Sequence, residues 1–330
     1  MLPHSNASLW TTASWEPFVL QGFGGGVEPQ ALLFAVLLGL YVVSVLGNFT
    51  MVALTSLDAH LHAPMYFFLK NLSLLDLCYS SAIAPSALAS AFSPPKAISF
   101  AGCAAQLFSF SLLATTEALL LAVMAYDRFL AICSPLHYPA AMSRLAQVRL
   151  VLGAYCGGSL NALVETSLTF RLPFCSSTRI DHFFCDVPPL LRLACADTAL
   201  NQRVMFAICG LIIVGTALAV LVSYGYIVVT VLGMRSGSGR HKVMSTCGSH
   251  LVTVSLFYGT VFVVYGQPRG VGSVEQAEAV SIFYTLVIPT LNPLIYSLRN
   301  REVKEALGRL GHRCAAAGRT GARRGHIWAP

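Results

Sequence analysis

Charge is scarce in this chain. Asp, Glu, Lys and Arg together make up 11% of its 330 residues, whereas soluble domains carry about 25%. With 55% hydrophobic residues and a mean hydropathy of +0.67, that deficit excludes an ordinary soluble domain and makes lipid the solvent. No Cys-x-x-Cys pair occurs among the ten cysteines, so zinc-ribbon and thioredoxin-like readings have no support. His-Glu-x-x-His and Gly-x-Ser-x-Gly are both missing, and His241 and His250 have no acidic metal partner nearby, which removes the basis for an intramembrane hydrolase. Residues 279–298 contain no Lys, so a retinal Schiff base is excluded. A transporter or channel would show repeats and a path of ionisable groups. No repeat is found, and apart from Asp127 at the end of the third run the acids within apolar runs are only Asp76, Glu117 and Glu165. Residues 1–30 hold no Lys or Arg and no short apolar core before a cleavage site, so no signal peptide is expected.

What the chain does have is apolar runs. They lie near 31–54, 65–91, 102–129, 149–170, 202–232, 246–265 and 279–298. The first, roughly 36 Å as a helix, can cross a ~30 Å hydrocarbon core as an uncleaved anchor. The second and sixth read as the least apolar, being rich in Ser and Thr. The expected fold is therefore an all-α membrane bundle of seven transmembrane helices. Of the 21 basic residues, fifteen fall on one side, from Lys70 and Arg128 to Arg323 and Arg324. The other side has six, diluted by acids. By the positive-inside rule the N-terminus lies outside and the C-terminus in the cytoplasm. This placement accounts for the formal charge of +7 without a nucleic-acid partner. The expected organisation is an outer segment 1–30, a seven-span body 31–298, an amphipathic membrane-surface helix 299–310 and a disordered basic tail 311–330. In the surface helix Val303, Leu307 and Leu310 recur at helical spacing. The sequon Asn6-Ala7-Ser8 lies on the outer side, where a glycan can be added.

Five segments then carry a resemblance. They are Leu61-His62-Ala63-Pro64-Met65-Tyr66-Phe67-Phe68-Leu69, Met124-Ala125-Tyr126-Asp127-Arg128-Phe129-Leu130-Ala131-Ile132-Cys133, and Ser223-Tyr224. Ser245-Thr246-Cys247-Gly248-Ser249-His250 and Pro289-Thr290-Leu291-Asn292-Pro293-Leu294-Ile295-Tyr296-Ser297-Leu298-Arg299-Asn300 complete the set. In this order and at these spacings the chain resembles the olfactory receptor family of rhodopsin-like G-protein-coupled receptors, in its tetrapod-type class. It departs at Phe129, where the family more often has Tyr, at Val243-Met244, where Ala-Phe is usual, and in a longer Gly/Ala/Arg tail.

The resemblance implies a multi-pass plasma-membrane receptor for a small volatile odorant, coupled to a stimulatory heterotrimeric G protein that raises cAMP. It implies that Arg128 pairs with Asp127 at rest and is released toward Tyr224 and Tyr296 on activation. His250 is read as a hydrogen-bonding or pH-sensitive switch residue. Asn292-Pro293 kinks the seventh span, since Pro lacks an N–H, and the freed carbonyl takes Asn292 or water as its partner. Four cysteines, Cys103, Cys175, Cys185 and Cys195, allow three pairings. The family pattern implies Cys103–Cys185 and Cys175–Cys195.

Intramembrane acids need a partner or a use. Asp76 and Glu117 fall at similar depth, with Asn48 and Asn292 available. If they face one another they suit water or a Na⁺ ion, hard cations preferring oxygen ligands. A satisfied packing network is the other reading. No other cofactor is expected. Pocket positions above this network should include Phe110, Ser111, Ala114 and Thr115, then Met205, Ile208, Cys209 and Ile212. The sixth and seventh spans add Tyr258, Val261, Phe262, Tyr265, Tyr284 and Thr285. None is charged, which suits a mostly apolar ligand held by burial and argues against an amine.

Overall fold

A computed structural model describes residues 17–21, 23, 27–92, 96–175, 178–234, 237–265, 274–300 and 302–310. The sequon at Asn6 and the tail 311–330 lie outside the described residues. Seven long helices occupy most of the rest, labelled in chain order α1 (Val27–Leu57), α2 (Pro64–Phe92), α3 (Phe100–Cys133), α4 (Arg144–Phe170), α5 (Ala199–Gly233) and α6 (Gly237–Tyr265). The seventh, α7, runs without interruption through Val274–Ile282, a π-helical turn Phe283–Val287, and Ile288–Arg299. A short helix, α8, covers 302–310.

Every one of α1–α6 has 27 residues or more, beyond the roughly 20 that a bilayer core requires. Helices outrun the apolar stretches: α4 starts five residues before its expected span and α6 nine residues before. Hydrogen bonding along the backbone does not stop where hydrocarbon does. Capping does stop it. Ser99 Oγ accepts from the Gly102 N–H at 3.1 Å to open α3, and Ser143 Oγ accepts from Ala146 at 3.5 Å to open α4.

By length and composition α1, α2, α3, α5 and Glu278–Ser297 of α7 can each cross a membrane, while the apolar part of α6 is the shorter Cys247–Val263. The expectation that α2 and α6 are the two least apolar spans fails for α2. The poorer helix is α4, which is not among those five and carries Gly157, Gly158, Asn161 and Glu165. Two of these polar residues reappear below in the cavity wall.

The bundle is apolar outward and partly polar inward. Leu32, Leu46, Phe49, Leu211, Leu221 and Phe262 are exposed, whereas Ser44, Asn48, Asp76, Thr116, Glu117 and Asn292 are buried. That reversal fits lipid around the helices. The third helix is the hub, packing against α2, α4, α5 and α6, while α1 packs on α2 and α7. The main core joins Leu120, Leu121 and Met124 of α3 to Leu72 and Leu75 of α2, Ile227 of α5 and Tyr296 of α7.

At one end a small sheet and a folded loop close the bundle, features that no periodicity announced. Strands β1 (Phe18–Leu20), β2 (Lys96–Ile98) and β3 (Arg179–Ile180) form a sheet of order β2-β1-β3, antiparallel on the first side and parallel on the second. Phe18 and Leu20 are buried beneath it with Cys103, Leu107 and Ile180. Cys103 of α3 is disulfide-bonded to Cys185, and Cys175 to Cys195. Phe183, Phe184 and Cys185 are thereby drawn into the bundle and fully buried.

At the opposite end α8 docks beside the α1–α2 turn. Asn300 Oδ1 accepts from the N–H groups of Glu302 and Val303, at 2.9 and 3.4 Å, and so caps it. Arg309 Nε reaches Asp58 Oδ2 at 2.9 Å, and Tyr66 Oη donates to Glu302 at 2.7 Å. The packed face is Val303 and Ala306, both buried; Leu307, expected on that face, is exposed. The spacing of Val303 to Leu307 turns 400° around a helix, so Ala306 shares the inner stripe almost as well.

Candidate functional site

Below the disulfide-tied loop, a cavity of about 170 Å³ lies between α3, α4, α5, α6 and α7, with Tyr79 of α2 at its edge. Of the expected pocket residues it is lined by Phe110, Ser111, Ala114, Thr115, Met205, Cys209, Ile212, Val261 and Tyr284. The others fall elsewhere. Ile208 faces a separate small gap between α4 and α5. Tyr258 packs into the core beside Phe257, ring centroids 5.3 Å apart. Phe262 is 75% exposed and points out of the bundle. Thr285 is fully buried, its hydroxyl donating to the Ser281 carbonyl at 2.7 Å. The Tyr265 side chain lies outside the described residues. The reason is rotational. The inward row of α5 is Met205–Cys209–Ile212–Ile213, and that of α6 is Phe257–Thr260–Val261, so a neighbour one step along turns about 100° away.

The sequence also missed part of the wall: Tyr79, Glu117, Ala118, Asn161, Glu165, Asp186, Val187, Pro188, Ile213, Phe257 and Thr260. Three of these are acids, so the expectation of an uncharged cavity is wrong. In the sequence Glu165 stands out only as an acid within an apolar run, and Asp186 falls in the loop between α4 and α5 with nothing to mark it. The disulfide at the adjacent Cys185 is what brings Asp186 under the roof. There Asp186 Oδ1 accepts from its neighbour Val187 N–H at 2.8 Å and caps the short helix Val187–Leu193. Burial pushes its carboxyl up to about 6, against the pull of that hydrogen bond and with a further push from Glu165. The Cys209 thiol donates to Glu165 Oε1 at 3.2 Å.

The loop roof is held by specific contacts. Gln106 Oε1 accepts from the Cys185 N–H at 2.9 Å while its Nε2 donates to Ser86 at 3.0 Å. His182 Nε2 and Ser281 Oγ are 3.1 Å apart, and burial lowers the imidazole to about 4, so it is neutral at pH 7. Phe110 meets Tyr79, Phe184 and Tyr284, at centroid distances of 5.8, 5.2 and 5.8 Å. Aromatic rings thus form one wall, and oxygen acceptors another.

Deeper in, Asn292 Nδ2 donates to Asp76 Oδ2 at 3.0 Å, and the Glu117 carboxylate acts electrostatically on Asp76. Asn48 Nδ2 donates to the Pro289 carbonyl at 2.9 Å and to Ser44 O at 3.0 Å. Pro289 lies four residues before Pro293, so its carbonyl is the one that Pro293 leaves free. The expectation gave that carbonyl to Asn292 or water. Asn48 takes it instead, because Asn292 is already turned to Asp76. Asn48 Oδ1, Glu117 Oε1 and Asn292 Oδ1 are buried without a protein partner.

Toward the α8 end, the expected Asp127–Arg128 ion pair is not among the ion pairs of the described residues. Asp127 is buried and accepts from Tyr138 Oη at 2.9 Å instead. Adjacent residues on a helix diverge by about 100°, so the Asp127 carboxylate faces the short helix Tyr138–Ala141 while Arg128 departs from it. The Arg128 charge still acts on Asp127 and Tyr138, and it also reaches Tyr66, Tyr224, Cys247, His250 and Tyr296 at the inner ends of α2, α5, α6 and α7. His250 joins three helices: its Nδ1 is 2.7 Å from Tyr224 Oη, and its Nε2 is 3.2 Å from the Leu121 carbonyl.

Comparison with known proteins gives this arrangement a family. The chain is 68% identical to mouse olfactory receptor 9S13 over 324 residues, covering 96% of this chain and 97% of that one. It is 58% identical to human olfactory receptor OR9H1, covering 88% and 95%, and 49% identical to human olfactory receptor 9G4, covering 88% of each. The olfactory receptor family model matches residues 37–312, a stretch that holds the cavity, the loop roof, the buried acids and α8, and the chain belongs to the olfactory receptor family, as a multi-pass membrane receptor and not an enzyme.

Proposed function

We propose that this odorant receptor binds a small volatile ligand in the cavity beneath the disulfide-tied loop and activates a stimulatory heterotrimeric G protein, raising cAMP. The observation that carries the reading is one largely apolar space touched by six of the long helices, including the three that meet at His250. A ligand bridging α3, α5 and α6 there has different affinities for different packings of those helices. That difference is what shifts a two-state population. Arg128, whose charge reaches Tyr224 and Tyr296, is the group that would meet the transducer when the inner ends part.

The buried oxygens of Asn48, Asp76, Glu117 and Asn292 would hold a Na⁺ ion, which would supply positive charge to two neighbouring carboxylates. Three of those oxygens lack protein partners, and an oxygen-only donor set suits a hard cation. These side chains link α1, α2, α3 and α7 whether or not an ion sits between them.

Expression with a cAMP reporter and a panel of volatiles tests the assignment. At equal surface display, Arg128→Ala should abolish the response to any agonist found. A surviving response would remove Arg128 from the switch.

A further inference from the structure

The charged side chains of the cavity wall are all acids, and its neutral polar groups include the hydroxyls of Ser111, Thr115, Thr260 and Tyr284, the Cys209 thiol and the Asn161 amide. Glu165 and Asp186 both line it, and no Lys, Arg or His does. Neither carboxylate takes part in an ion pair among the described residues, where the ion pairs join Asp58 to His60 and Arg309. The donors they do have are weak or local: a thiol for Glu165 and the adjacent backbone N–H for Asp186. Asn161, only 5% exposed and in the same wall, gives its Nδ2 proton to Thr115 at 3.0 Å and leaves Oδ1 unpartnered. Burying acceptors without donors costs free energy, and a carboxylate cannot supply a proton donor when ionised. An occupant that brings donors, and positive charge above all, complements these acceptors best.

We propose that the cavity recognises a small protonated amine, its ammonium group between Glu165 and Asp186 and its alkyl or aryl body against Phe110, Met205, Ile212 and Tyr284. An alkylammonium has three donors and no acceptor, which matches this wall. It carries charge at neutral pH because alkylamines titrate near the lysine value of about 10.4. A carboxylic acid of the same size would meet Glu165 and Asp186 as like charges, with only neutral hydroxyls such as Ser111 to offset them. An alcohol offers one donor and no charge. The proposal rests on the reading of this cavity as the agonist site, and replaces the expectation that the ligand is not an amine.

The test compares n-hexylamine, 1-hexanol and hexanoic acid in the cAMP reporter, beside a broad panel of uncharged volatiles. Surface display is matched by an antibody to an N-terminal tag. Hexylamine should be the most potent of the three by roughly tenfold or more, and hexanoic acid should be silent. Glu165→Gln and Asp186→Asn should each weaken the amine response by roughly tenfold or more, and that loss should exceed any change in the response to an uncharged agonist measured on the same variant. If uncharged volatiles activate the receptor while hexylamine does not, the amine assignment is wrong and the odorant reading stands. An amine response unchanged in the double variant would likewise overturn the assignment. If no volatile of any class raises cAMP in displayed receptor, the proposed function itself fails and the amine assignment with it.

Discussion

The Pro289 carbonyl shows how far a single residue can be read. Pro293 guarantees that one carbonyl a turn earlier loses its helical donor, and that much is visible from the letters. Which side chain answers depends on what faces α7, and Asn48 of α1 does so at 2.9 Å. Asn48→Ala should leave that carbonyl bare in a dry interior and lower stability by about 1–3 kcal/mol. Thermal melting of the purified receptor in detergent measures it; an unchanged midpoint would mean that water serves equally well. The pocket residues show the same limit. Phe110, Met205 and Val261 were legible as inward because each sits in an apolar run at helical spacing. Ile208 and Phe262 differ from their cavity-lining neighbours by one or three residues, and only the helix rotation separates them.

Among helices, contact distance is set by what is small. A Cβ on Gly158 of α4 would lie 2.7 Å from the Leu112 carbonyl of α3, whereas one on Gly39 of α1 would meet nothing within 4 Å. Gly158→Ala should therefore push α4 off α3 and cost about 1–3 kcal/mol. Gly39→Ala, in open space, should be neutral or slightly stabilising. Paired melting curves decide, and equal midpoints would mean that α4 yields freely. The docking of α8 rests on Asp58, whose carboxyl is held well below the usual carboxylate range by hydrogen bonds from the His60 backbone and ring and from Arg309. A carboxylate with a lowered folded value contributes above its ordinary range and loses that contribution only as pH falls through the lower one. The difference in melting point between the parent protein and Asp58→Asn should thus stay constant from pH 7 to pH 5. A difference that shrinks across this interval would show a carboxyl held above its ordinary range of about 3.9, the opposite of the anchor described.

For the molecule as a whole, the disulfide roof is the decisive construction. The Cys103–Cys185 bond ties the loop between α4 and α5 to α3, and with it come Phe183, Phe184 and Asp186. Cys103→Ser should release that loop, enlarge the cavity mouth and strongly reduce surface display, as flow cytometry of an N-terminal tag would record. Cys175→Ser, which opens a loop of only 20 residues, should be milder. Full display of the Cys103 variant would show that the roof folds without its tie.

Lipid as solvent, the run of spans and their direction were all written in composition, because a bilayer imposes the same demand on every crossing segment regardless of its neighbours. The local motifs at Asp127-Arg128 and Asn292-Pro293 were likewise readable, since their chemistry is contained in adjacent residues. Asp186 beside Glu165, Asn48 under Pro289 and Tyr138 on Asp127 were not. Each joins groups on separate elements, where helix rotation and a folded loop choose the partner, and one-dimensional spacing carries no record of that choice.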